Sequence, residues 1–149
     1  MIVIASDHGG LELKEDIKGL LSEKGLACED LGTCNGDSVD YPDSGQLVAR
    51  RVSTGGAEKG ILVCGTGIGM SIVANKFPGI RAALATDVFM ATMAKEHNNA
   101  NILVLGGRVL ESAKAREMVS AWLDTEFAGG RHQARLDKIA ALEGELKLK

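Results

Sequence analysis

The chain has 149 residues, a net charge of −3, 45% hydrophobic residues and only 3% aromatics. Its length suits one domain spanning residues 1–149, and its apolar share supplies a full core of Ala, Val, Ile and Leu without a metal or disulfide staple. The acidic balance argues against nucleic acid, whose phosphates want a basic face, and no apolar run approaches the ~20 residues of a membrane span. The start, Met1-Ile-Val-Ile, lacks the charged and long apolar stretches of a signal peptide. Cys28, Cys34 and Cys64 form neither an even disulfide set nor a C-x-x-C metal pair. The expectation is a soluble cytoplasmic protein with reduced thiols.

The β-branched run Ile2–Ala5 predicts an opening strand, and Ser6-Asp7-His8-Gly9-Gly10 a polar turn. Leu13, Ile17, Leu20 and Leu21 recur at helical spacing over Leu11–Lys24, and Gly25 ends that helix. Leu26–Asp30 reads as a second strand and Gly32–Tyr41 as a polar loop. Pro42 suits the start of a helix to about Ser53, where its missing N–H is not needed. Ile61–Val63 is an apolar run of the kind that forms a buried parallel strand. Glycines follow at Gly65, Gly67 and Gly69, then a helix over Met70–Lys76. Pro78-Gly79 marks a turn, Arg81–Ala85 a fourth strand, and Asp87 an N-cap for a helix to about His97. Asn101–Leu105 is the fifth strand and Gly106-Gly107-Arg108 the turn after it. Ser112–Phe127 is a long amphipathic helix, broken by Ala128-Gly129-Gly130 before a last helix over Arg131–Leu146.

Strands alternating with helices of this length predict an α/β fold: a three-layer α/β/α sandwich on a Rossmann-like, five-stranded parallel sheet with one extra C-terminal helix. In such sheets ligands sit beyond the carboxyl ends of the strands. Asp7 and His8, Cys64–Gly69, Thr86 and Asp87, and Gly106–Arg108 are therefore expected around one crevice. The stretch Cys64-Gly65-Thr66-Gly67-Ile68-Gly69 is the centre of interest. Glycines let a backbone approach an anion, and a helix start directs free N–H groups at it. The spacing G-x-G-x-G is neither the dinucleotide fingerprint nor a P-loop. A tight turn with a buried cysteine is the plainer alternative.

Cys64 lies ahead of a helix N-terminus, a field that lowers a thiol pKa from about 8.5 towards neutrality. It could be a general base, or a nucleophile if His8 or His97 were hydrogen-bonded to it. Asp7 and His8 could equally be turn residues, and His97 a partner for its helix dipole. Asn98, Asn99 and Asn101 can cap turns or read sugar hydroxyls. Arg131 and Arg135 share one helix face, with His132 between them, as a phosphate clamp or a solvated basic face.

Ser6–Gly10, Cys64–Ser71, Ala74-Asn75-Lys76, Glu96-His97-Asn98, Leu105–Arg108 and Gly129–His132 occur in this order. Together they make the chain resemble ribose-5-phosphate isomerases of the B type, a family that also holds galactose-6-phosphate isomerase subunits. The resemblance covers nearly the whole chain. It implies interconversion of ribose 5-phosphate and ribulose 5-phosphate without metal or organic cofactor. It makes Cys64 the base that moves a proton between C2 and C1, and the turn Gly65–Gly69, with Ile68, the anion hole for the enediolate. His97 would help open the sugar ring, reaching the site from a partner subunit, so a homo-oligomer, dimer or tetramer, with shared active sites is implied. Asp7, His8, Asn98, Arg108, Arg131 and Arg135 match substrate-binding positions, the arginines holding phosphate. Thr66 and Tyr41 match further residues of the site.

One branch of the family uses a glutamate where this chain has Met70, which leaves Cys64 as the base. Asn99 stands where many members carry Asp, and Val73 where many carry Ala. A six-carbon sugar phosphate is the alternative substrate. A phosphosugar-binding module and a cysteine hydrolase are the readings from other classes.

Overall fold

The computed structural model describes residues 1–147. Five strands, β1 (Ile2–Ser6), β2 (Cys28–Asp30), β3 (Lys59–Cys64), β4 (Ala82–Leu84) and β5 (Ile102–Gly106), form one parallel sheet in the order β2-β1-β3-β5-β4. The helices are α1 (Leu11–Glu23), α2 (Tyr41–Ser53), α3 (Ile68–Ala74), α4 (Val88–Glu96), α5 (Ser112–Asp124) and α6 (Arg131–Lys147). The three central strands are buried almost throughout, as continuous apolar runs require. Their alternation sends Ile2, Ile4, Ile61, Val63, Leu103 and Leu105 towards α1, α4 and α5. Val3, Ala5, Leu62, Cys64, Ile102 and Val104 pack on the other side with α2 and α3. Helices on both faces of the sheet make the expected three layers. Among the described residues no helix is long and apolar enough to cross a membrane.

Element boundaries differ from the sequence expectation for local reasons. β2 starts at Cys28 rather than Leu26 because the Leu26 N–H closes the end of α1 on the Leu21 carbonyl, with Gly25 at φ 69°. β4 excludes Arg81, whose N–H is taken by the Asn101 side chain at 2.8 Å. α3 begins two residues early, at Ile68, because Gly67 at φ 84° turns the chain at once. Tyr41 opens α2, so Pro42 is its second residue. α5 stops at Asp124, three residues short of Phe127.

The strand order decides where a ligand can sit. The chain leaves β1 towards β2, then crosses to the other side for β3, so the sheet changes direction between β1 and β3. The carboxyl ends of these two strands flank the crevice where an open α/β sheet takes its ligand.

Candidate active site

β1, β3 and β5 end side by side, Ser6 beside Val63 and Cys64 beside Gly106. Their three turns are tied together: the Gly107 N–H donates to the Cys64 carbonyl at 2.8 Å and the Arg108 N–H to that of Gly65 at 2.9 Å. Gly9 lies where they converge. A Cβ built there would stand 3.4 Å from the Arg108 guanidinium, the Asp7 carboxylate and the Gly65 amide alike. Tyr41 completes the rim from α2, with its ring so close to Gly69 that a Cβ there would meet it at 2.6 Å. Asp7, His8, Tyr41, Cys64–Gly69 and Arg108 therefore form one group. Thr86 and Asp87 share this edge of the sheet but serve α4. Asp87 caps it through the Met90 N–H at 2.7 Å, as a capping residue should.

Cys64 is 4% exposed, and its Sγ accepts the Gly67 N–H at 3.1 Å. The left-handed backbone at Gly67 makes that bond possible, because it folds the turn back over the sulfur. Ile68 donates its N–H to Thr66 Oγ1 at 3.3 Å, on the exposed side of the turn. Asp7 accepts the Gly10 N–H at 3.0 Å and caps a single 3-10 turn over His8–Gly10. His8 Nδ1 accepts the Val39 N–H at 3.2 Å, so this nitrogen carries no proton. Neither His8 nor His97 is bonded to Cys64, which removes the arrangement a cysteine hydrolase needs. Cys28 is half-buried against the core, where burial raises its thiol pKa. Cys34 is exposed on the loop after β2.

The remaining expected residues form a second group at the opposite edge of the sheet. α4 runs back from the carboxyl end of β4, so His97 and Asn98 lie where the strands begin. Gly60 N–H donates to the Asn101 carbonyl at 2.9 Å, which fixes the His97–Asn101 turn beside the start of β3. Cys64 is four residues farther along β3, about 13 Å away. Arg131 and Arg135 stay with His97, because the His132 ring between them stacks on the His97 ring at 4.1 Å and 13°. One chain thus presents two separate groups of candidate residues and does not join them.

Three features of this second group had no usable signal in the sequence. His132 is buried, and its pKa is lowered first by that burial and then by His97, Arg131 and Arg135. Arg81 Nε donates to the carbonyls of Asn98 at 3.2 Å and Asn99 at 3.1 Å, holding the turn that carries His97. Asn99 is at φ 44°, a conformation Asn tolerates, and its side chain accepts from Lys95 Nζ at 2.7 Å. Lys95 has its pKa lowered by burial and by Lys59 and Arg81. A groove of about 530 Å³ lined by Phe77, Pro78, Ile80, Ile139 and Leu142 follows α6, away from Cys64. Among the described residues no three His, Cys, Asp or Glu side chains converge as metal ligands.

Residues 2–139 match the family model of ribose/galactose isomerases. The solved ribose-5-phosphate isomerase B of Clostridium thermocellum is 50% identical and superposes with a TM-score of 0.95, over 97% of this chain and 98% of that one. The ribose-5-phosphate isomerase B of Mycoplasma genitalium, solved with bound ribulose-5-phosphate, is 43% identical with a TM-score of 0.93, over 97% and 96%. The D-erythrulose-4-phosphate isomerase of Pectobacterium atrosepticum is 42% identical over 147 residues, covering 98% of this chain and 97% of that protein.

Proposed function

The chain belongs to the ribose/galactose isomerase family and is an isomerase, and we propose that it interconverts ribose 5-phosphate and ribulose 5-phosphate as a single cytoplasmic domain serving the non-oxidative pentose phosphate pathway. The observation that carries this reading is the Cys64 sulfur inside the glycine turn, accepting a backbone N–H with no histidine bonded to it. That is a base facing an amide cradle.

In this reading the Cys64 thiolate takes the proton from C2 of the open-chain sugar. The electron pair moves into the C1–C2 bond and the carbonyl oxygen becomes an enediolate. Free backbone amides of the Gly65–Gly69 turn hold that charge, each such donor being worth roughly 3–4 kcal/mol at the transition state. A proton passes from O2 to O1 and Cys64 returns its own to C1, so the C2 carbonyl forms and the ketose results with nothing gained or lost overall. Asp7, His8, Thr66 and Tyr41 hold the sugar hydroxyls. Arg108 meets the phosphate, and anchoring that remote group positions the reacting carbons.

His97, Asn98, Arg131 and Arg135 enter this scheme from a second copy. The separation of the two groups supports a homodimer, or a tetramer built from it, in which the partner subunit's His97 opens the furanose ring and its arginines close on the phosphate. A cytoplasmic location suits a reaction that needs Cys64 as a free thiol.

The test is turnover of ribose 5-phosphate, with erythrulose 4-phosphate, allose 6-phosphate and galactose 6-phosphate alongside, for wild type and Cys64→Ala. Pentose turnover that falls about a hundred- to ten-thousandfold in the variant, with substrate binding kept, supports the proposal. Reaction of only a four- or six-carbon sugar phosphate keeps the mechanism and changes the substrate. Binding without turnover in the wild type overturns the catalytic reading in favour of a phosphosugar-binding module.

A further inference from the structure

Lys14 has no part in the isomerisation chemistry, yet it is a fully buried ammonium on α1. Burying a lysine is unfavourable unless the charge is paired and hydrogen-bonded. Its Nζ donates to Asp30 Oδ1 at 2.9 Å and to the Thr33 carbonyl. Asp30 is the last residue of β2, and its carboxylate is engaged on every side. Oδ1 also accepts the Gly32 N–H at 2.9 Å, and Oδ2 takes Lys18 Nζ at 2.9 Å. The same turn is stitched to the end of β1: Ser6 N–H donates to the Gly32 carbonyl at 2.7 Å, and Thr33 N–H to the Ser6 carbonyl at 2.8 Å.

This anchorage is larger than a three-residue edge strand requires. What it holds is the root of the polar loop 33–40, which carries no helix or strand of its own. At its far end the Val39 N–H donates to His8 Nδ1. That bond selects one form of the ring: Nδ1 is the acceptor, so the imidazole is neutral with its proton on Nε2. His8 follows closely on the strand to which the loop root is tied.

We propose that Lys14, with Asp30, is a positioning residue for His8: the buried ammonium fixes loop 33–40 so that the Val39 amide holds His8 neutral as an Nε2–H donor for the substrate. The inference rests on the isomerase reading for its kinetic consequence and on the structure alone for its tautomer. A methionine at position 14 would fill the same space without the charge, so the ammonium serves the loop rather than the core.

The test replaces Lys14→Met in the full chain and reads two quantities. The first is the His8 tautomer from its side-chain ¹⁵N shifts, and the second is the split between KM and kcat for ribose 5-phosphate. The expected result is an Nε2–H tautomer in wild type and a tautomer mixture in the variant. KM rises about tenfold, the value of one lost substrate hydrogen bond, with kcat changed by less than about threefold. Asp30→Asn keeps the shape and the Gly32 bond but removes the charge that holds the ammonium. It gives the same signature in weaker form, and it decides the matter if Lys14→Met does not fold. An unchanged tautomer and unchanged KM in a variant that only melts earlier would reduce Lys14 to a structural role and overturn the proposal. A wild type that turns over no sugar phosphate removes the isomerase reading, while the tautomer still decides the link from Lys14 to His8.

Discussion

Two inactive variants should restore each other's activity when their subunits mix. Cys64 lies at the carboxyl edge of the sheet, and the turn that carries His97 is bonded to Gly60 at the start of β3, about 13 Å back along that strand. A histidine side chain cannot span that distance, and stacking on His132 holds the ring where it is. If each site takes Cys64 from one copy and His97 from the other, Cys64→Ala and His97→Ala homodimers have no intact site. A hybrid dimer has one site with both groups and one with neither. Random assortment makes about half the dimers hybrids with one working site of two, so the mixture should recover about a quarter of wild-type turnover. The assay is ribose 5-phosphate isomerisation after subunit exchange, with differently tagged chains to count the hybrids by affinity capture. Activity must rise in proportion to hybrid content. A mixture that never exceeds the sum of its parents, although hybrids are present, would refute the shared site. Full activity of isolated monomers at high dilution would refute it equally.

Three single positions give further expected outcomes. Gly67→Ala forces a Cβ onto a backbone at φ 84°, 2.5 Å from Leu84 Cδ1 and 3.2 Å from the Leu105 carbonyl. It should destabilise the chain by about 2–4 kcal/mol in denaturant unfolding, and turnover should fall as the amide leaves Cys64. Asn99→Asp supplies a carboxylate to Lys95, whose charged surroundings are Lys59 and Arg81. The gain should be about 0.5–1 kcal/mol, read as a rise of roughly 2–4 °C in Tm that high salt reduces. His132 has a folded-state pKa below its unfolded value near 6.5, so the unfolded chain binds the extra proton first. Its share of stability is whole above about pH 6.5 and is lost as pH falls from there through the folded pKa. An NMR titration should place the His132 midpoint below 6.5, and His132→Gln should flatten unfolding stability over that window.

Much of the molecule is determined locally. Apolar runs without alternation made β1, β3 and β5 central strands, because a strand covered on both faces must be apolar on both. Spacing of three and four residues identified the buried stripe of α1 and its partners. Gly65, Gly67 and Gly69 marked a turn that brings amides to a strand end, and Cys64 stood out because a thiol adjoins them. These signals are short-range: period, cap and backbone freedom are written in neighbouring residues.

Strand order, by contrast, has no local signature. It is set by which faces pack, and it alone brings Gly9, Arg108 and Gly65 together from three different strand ends while sending His97 to the far edge of the sheet. Stacking of His97 on His132, 35 positions apart, depends on where α6 returns along that edge. The burial of Lys14 was also invisible in the sequence, where it is one lysine in an amphipathic helix. Only the packed loop above it shows that its charge is satisfied by Asp30 and a carbonyl rather than by water, because the pairing of a buried ion is decided by distance in space and not along the chain.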